Sequence, residues 1–228
     1  MTDFLLLLLS TGTAAIAAGR ARRKKDKRLT LADNDCRTVL IKTATILFSE
    51  KGFNGVSVRE IASLAGVNVS MISYYFGGKE GLYGAVLNEQ FSVLYRVAEI
   101  ALLDADPLTK IESYVRATVA RYRQNPYLLR FYTSELTNPT RCFDTIVKPA
   151  IQEVVKILQE FFADGLSHHQ FREGLDPTDT ALALAGMINF YFLLEPASGE
   201  LVDHSPGRDE ELIRHIMDIF TNGVLQKD

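Results

Sequence analysis

The chain has 228 residues, 47% hydrophobic and 10% aromatic, enough to bury a substantial core in one or two domains. Its two cysteines, Cys36 and Cys142, lie far apart in sequence, which excludes a disulfide framework and suits a reducing cytoplasm. The net charge of −3 conceals a split: residues 1–80 carry 12 Lys and Arg against 7 Asp and Glu, whereas residues 81–228 carry 13 against 21.

Residues 1–30 read as an extension, apolar and then basic. Phe4 to Leu9 and the following Thr-Gly-Thr-Ala-Ala-Ile-Ala-Ala form an apolar stretch of about 15 residues, short of the ~20 that a bilayer-spanning helix needs. Positive charge follows this stretch, the reverse of a secretory signal. An unstructured tail left by an upstream start codon, a packing helix and a membrane anchor all stay open, with a disordered tail and no membrane partner as the expectation. Arg20, Arg22, Arg23, Lys24, Lys25, Lys27 and Arg28 then make a basic run. Beside a nucleic-acid-binding domain such a run neutralises phosphates or enters a minor groove; elsewhere it only solubilises.

A first helix is expected over 33–50 and a second over 58–65. Ser57 with Glu60 three residues later is a capping box, and Val56 ahead of the cap can pack on Ile61 as a hydrophobic staple. Ile61, Ala62, Leu64 and Ala65 give the apolar side, Ala62 being small enough for another helix to cross closely. Gly66 can take the positive φ that a sharp interhelical turn requires. Asn68 can cap a third helix, 69–76, in which Ile72, Tyr75 and Phe76 face inward while Val69, Ser70, Ser73 and Tyr74 share the opposite side. Short polar groups beside a phenol suit a helix lying in a major groove, where base edges and phosphates both need hydrogen-bond partners. The same helix pair also occurs as plain scaffold in all-α proteins.

From Val39 to Leu87 the sequence resembles the N-terminal domain of the TetR family of transcriptional regulators. The matching stretches are Ala44 to Phe53, Val58 to Ala62, Ala65-Gly66-Val67 and Tyr74 to Leu82, in that order without a gap. Two positions depart: Tyr75 stands where the family often has histidine, and Gly78 stands where it often has Ser or Thr, a weaker cap for the next helix. The resemblance implies a homodimer on a palindromic double-stranded DNA operator, a repressor released by a small hydrophobic effector, and a cytoplasmic location. It further implies that Ser57, Tyr74 and Lys79 touch phosphates and that Arg59, Val69, Ser70 and Met71 lie near base edges, with Asn68 and Ser73 on the same surface. Lys79 opens a helix, so its charge and the backbone N–H groups there can address one phosphate together. Arg59 is the one long donor, suited to guanine; a solvated side chain is its plain alternative, as core packing is for Met71.

Helices are expected next over 79–103, 107–124, 126–137, 141–164, 177–194 and 209–225, making nine helices and no sheet. Pro107, Pro126 and Pro177 fall at or near helix starts, whereas Pro149 should kink the helix that contains it. Two apolar helices at the C-terminus are the natural interface for a dimer. Leu182, Ala185, Gly186, Met187, Ile188, Tyr191 and Phe192 mark one, with small Ala181 and Ala183 allowing close approach; Leu212, Ile213, Ile216, Ile219 and Phe220 stripe the other. Internal core is the alternative for part of them. A ligand pocket is expected among Tyr114, Thr118, Tyr122, Phe131, Tyr132, Glu135, Phe162 and Asn189, apolar walls with a few polar groups, although each residue alone could equally be core.

Catalysis finds no foothold. Gly77-Gly78-Lys79-Glu80-Gly81 lacks the Ser or Thr that follows lysine in a phosphate-binding loop. His168 and His169 are adjacent and, with His204 and His215, show no zinc spacing, so neither a metal nor another cofactor is expected. The reading is an all-α chain: an N-terminal extension over 1–30, a three-helix helix-turn-helix domain over 31–80, and a helical ligand-binding and dimerisation domain over 81–228. The competing class is an all-α ligand-binding or membrane-associated protein whose helix pair is structural.

Overall fold

A computed structural model describes residues 26–92, 95–203, 205 and 207–225, and within them the side chains of all but 26–34, 95 and 96. The apolar stretch, the basic residues from Arg20 to Lys25 and His204 lie outside the described residues. Ten α-helices are found among the described residues. They are α1 Asp26–Lys51, α2 Val58–Ala65, α3 Ser70–Phe76, α4 Lys79–Phe91, α5 Tyr95–Ala101, α6 Pro107–Gln124, α7 Tyr127–Thr137, α8 Lys148–Ser167, α9 Pro177–Ser198 and α10 Arg208–Val224. A π-helical turn, Phe143–Val147, leads into α8, a 3₁₀ turn, Gly199–Leu201, follows α9, and one isolated antiparallel bridge joins Phe171 to Leu225.

Several boundaries differ from expectation, α9 running on past 194 to Ser198 among them, and three of the differences have identifiable reasons. The first helix begins at Asp26, so Lys27 and Arg28 belong to its first turn rather than to a loose arm. The expected 79–103 helix is two: α4 ends at Phe91, where the Ser92 hydroxyl donates to the Glu89 carbonyl (2.8 Å) and competes with the backbone ladder, and α5 starts at Tyr95. Pro149 falls at the start of α8 instead of inside a helix. The preceding i→i+5 turn, in which the Lys148 N–H bonds the Phe143 carbonyl, leaves Pro149 in the first turn of α8, where its missing N–H costs least.

The helices bury two adjoining cores. Leu40, Ala44, Phe48, Ile61, Ile72 and Leu82 centre the first, so α1 to α4 close around one another. Ile111, Val115, Leu158, Phe162, Leu184 and Ile213 centre the second, within α6 and α8 to α10. Helix α7 serves both: Leu128 and Phe131 point into the first core and Leu129 into the second. Fully buried Glu135, on the same helix, accepts the Tyr83 hydroxyl of α4 (2.8 Å) and the Thr140 N–H and hydroxyl (3.2 and 3.1 Å).

Candidate nucleic-acid interface and ligand cavity

The turn between α2 and α3 forms as its residues require. Ser57 caps α2, its hydroxyl oxygen accepting the Glu60 N–H at 3.1 Å, and the stapling pair Val56 and Ile61 is buried. The reciprocal half of the box is replaced: the Glu60 carboxylate pairs with Lys51 Nζ across to α1, which lowers the Glu60 pKa and raises that of Lys51. Gly66 sits at φ +68°, letting the Val67 N–H return to the Ala62 carbonyl at 3.0 Å. Asn68 Oδ1 then accepts both the Ser70 N–H (2.9 Å) and the Ser70 hydroxyl (2.8 Å). That spends the Ser70 proton, so Ser70 presents an acceptor and the Asn68 carboxamide nitrogen a donor.

Helix α3 is seated by Ile72, which is 1% exposed, with Tyr75 and Phe76 half-buried. Val69, Ser70, Ser73 and Tyr74 stand free on the other side, Tyr74 being 73% exposed. Ser57, Arg59 and Asn68 are also exposed, while Met71 is half-buried against the first core. One apolar residue breaks the expectation for α2: Leu64 is 65% exposed and does not share the inner face of Ile61 and Ala62. At the head of α4, Lys79 Nζ lies 4.5 Å from the Phe53 ring centroid, and Gly78 before it offers no side-chain cap. The surface therefore groups a lysine at a helix N-terminus, hydroxyls on two helices and one arginine, which is the chemistry of phosphate and base-edge contact.

A cavity of about 360 Å³ opens among α6, α7, α8 and α9. Of the expected pocket residues it is lined by Tyr114, Thr118, Tyr122, Tyr132 and Asn189. The other three are elsewhere. Phe131 packs against Tyr83 in the first core, with ring centroids 6.1 Å apart; Glu135 is committed to Tyr83 and Thr140; Phe162 lies between Phe171 and Phe220 in the second core. A turn of helix decides this: Phe131 is buried in the first core, whereas its neighbour Tyr132 is half-buried against both cores and lines the cavity. Leu129, Thr133 and Leu136 on α7 complete a lining stripe at i, i+4 and i+7, a spacing that was available to find them.

Burial dominates the ionisation of the lining phenols. Tyr114 is pushed up to about 12 by burial, with its Thr118 hydrogen bond acting the other way. Tyr122 is raised by burial and then by neighbouring Tyr114 and Tyr132, and its hydroxyl donates to Asn189 Oδ1 at 2.6 Å. Tyr132 is likewise raised by burial, partly offset by its hydrogen bond with Asn189. All three remain neutral at physiological pH.

The last two helices are apportioned differently from expectation. Leu212, Ile213, Ile216 and Phe220 of α10 are buried in the second core, as are Ala181, Leu184, Ile188 and Phe192 of α9. Exposed instead are Leu182, Ala183, Gly186, Phe190, Leu193 and Leu194 on α9 and Ile219 on α10. Pro177–Leu201 is long and apolar enough by composition to cross a membrane, yet its inner residues pack within the second core. His168, His169 and His215 are exposed.

Two family models match this sequence: bacterial regulatory proteins of the tetR family over residues 40–86, and the tetracyclin repressor-like C-terminal domain over residues 107–220, half of the chain. The probable HTH-type transcriptional regulator YttP of Bacillus subtilis is 31% identical over 58% of this chain; the match spans 65% of YttP's own length. The HTH-type transcriptional repressor NicS of Pseudomonas putida is 29% identical over 74% of this chain and 81% of its own. A solved structure of AibR in complex with isovaleryl coenzyme A and operator DNA superposes with a TM-score of 0.67 at 17% identity, covering 81% of this chain and 97% of that one; the likeness is one of fold.

Proposed function

The chain belongs to the TetR family of bacterial transcriptional regulators, and from that premise we propose that it acts in the cytoplasm, without catalysis, as a homodimeric repressor whose grip on a palindromic operator is loosened by a small hydrophobic effector. The observation that carries the reading is the exposed row Val69, Ser70, Ser73 and Tyr74 on a helix anchored by buried Ile72. A structural helix pair would have covered that row. In this reading α3 enters the major groove, Ser57, Tyr74 and Lys79 hold phosphates, and Arg59 with Asn68 and Ser70 addresses base edges.

Two heads must sit on one face of the duplex, which a two-fold axis supplies. The exposed apolar residues of α9, with Ile219 of α10, are the surface for it. Leu182, Phe190 and Leu193 also border the cavity, so a partner docked there would shield its outer wall. An effector then changes operator affinity only as far as it prefers one spacing of the heads over the other, and operator weakens effector binding by the same factor.

The test is binding to the DNA flanking the coding region. One inverted repeat should be bound strongly over its scrambled form. Tyr74→Phe and Lys79→Ala should weaken binding to all sequences, whereas Arg59→Ala should change preference, by roughly 1–3 kcal/mol at the position it reads. Equal affinity for the repeat and the scramble would remove the operator reading.

A further inference from the structure

The cavity's polar atoms specify more about its ligand than its size does. Its lining holds no ionisable acid or base other than the phenols: Tyr114, Thr118, Tyr122, Tyr132, Thr133 and Asn189 are its polar residues. Two cations flank Tyr122 on α6: Arg121, whose guanidinium reaches the Gln90 carbonyl at 3.5 Å, and Arg123. Neither lines the cavity. Arg123 is already committed, bonding both carboxylate oxygens of Glu195 (2.7 and 2.8 Å) and Asp209 (2.7 Å). An anion buried here would meet no positive partner, and the acid-rich C-terminal half raises the penalty.

The hydrogen bonds inside the cavity also have a direction. The Tyr122 O–H donates to Asn189 Oδ1, so the Asn189 amide nitrogen stays a donor. Tyr132 and Asn189 are hydrogen-bonded, and that one bond uses one of the three protons that the phenol and the amide hold. Tyr114 and Thr118 are likewise hydrogen-bonded, and that bond uses one of their two hydroxyl protons. Thr133 has spent its proton on the Leu129 carbonyl (2.9 Å). The open ends are therefore hydroxyl and amide donors set in apolar walls of Phe91, Val97, Leu129 and Val154. Donors without a cation select a neutral acceptor.

We infer that the cavity takes an uncharged, largely apolar molecule bearing an oxygen acceptor, such as a ketone, ester, ether or alcohol, read by the donors that Tyr132 with Asn189 and Tyr114 with Thr118 leave open. Carboxylates, amines and phosphorylated ligands are excluded. This rests on the effector reading above and adds the chemical class. A volume of about 360 Å³ lies near the lower end of ordinary small-molecule sites, consistent with a compact molecule.

The test uses the full chain and ligands of nearly equal size, four on one carbon skeleton (4-phenylbutan-2-one, 4-phenylbutan-2-ol, butylbenzene and 4-phenylbutan-2-amine) and 3-phenylpropanoate, in which a carboxylate replaces the acetyl group, titrated by calorimetry at neutral pH. The ketone and the alcohol should bind, with the carboxylate and the amine weaker by about tenfold or more because each would bury an unpaired charge. Tyr132→Phe and Tyr114→Phe should each weaken the ketone by roughly 2- to 13-fold, the worth of one hydrogen bond, and leave butylbenzene unchanged. Either variant keeps the ring, so packing is preserved, and its melting curve verifies folding. Carboxylate binding as tight as the ketone's, no binding of ketone or alcohol up to millimolar concentration, or a ketone-to-butylbenzene ratio unmoved in both variants overturns the inference. Ketone binding as expected, with operator affinity unmoved by saturating ketone, sinks the effector reading and leaves the ligand class standing.

Discussion

At Glu135 a carboxylate is fully buried and satisfied by three donors, one of them from a helix more than fifty residues away. Burial and then the Glu135 carboxylate raise the Tyr83 phenol well above its ordinary range, so Tyr83 stays a neutral donor. Tyr83→Phe removes that donor without changing the ring. It should lower stability by about 1.5–3 kcal/mol in urea denaturation, and an unchanged midpoint would show the bond to be worth nothing net. Asp106 offers a second case. Its carboxylate caps α6, accepting the Leu108 and Thr109 N–H groups, the Thr109 hydroxyl and Gln170 Nε2, and chiefly the Thr109 hydroxyl and Gln170 hold its pKa down to about 2. A folded pKa below the unfolded one means that stability is present above about pH 4 and is lost as pH falls toward 2. Melting temperatures of the native chain and Asp106→Asn should differ near neutral pH and converge across that window. A constant gap would place the effect outside the charge.

Among the elements, α9 is divided along its length. Ala181, Leu184, Ile188 and Phe192 face the second core, and Leu182, Gly186, Phe190, Leu193 and Leu194 face out. This apolar surface is the one that the proposed dimer would cover. Phe190→Glu is expected to turn a dimer into a monomer in sedimentation equilibrium without lowering helix content, because Phe190 is 58% exposed within one protomer. A variant that sediments like the native chain would move the interface elsewhere. Helix α10 is the contrasting element: its stripe is almost wholly internal, and Ile219, 66% exposed, is what remains for a partner. A sequence shows that such helices are apolar; it does not show against what they pack.

Across the whole molecule, charge and position act together. The basic N-terminal third and the acidic remainder make the affinity for DNA an ionic quantity, so a dimer with several phosphate contacts per head should lose roughly 10³-fold in affinity between 50 and 200 mM salt. A plot of log affinity against log salt measures the number of phosphates engaged. A flat plot would contradict phosphate contact by Lys79 and the helix termini beside it.

The head was legible residue by residue because its signals are local. A cap at Ser57, a left-handed glycine at position 66 and an Asx cap at Asn68 act within a turn of themselves, and the structure holds all three where the spacing put them. The cavity was legible only in part. Tyr114, Thr118 and Tyr122 share one face of α6 by helical period, but Phe131, Glu135 and Phe162 fail because helix period says which residues share a face and not which core that face meets. The amino-acid sequence by itself determined the helices of the head, its family and the side of α3 left exposed. Tertiary structure alone decided how α7 divides between two cores, which side of α9 is free and which phenols line the cavity, since each depends on contacts between helices distant in the chain.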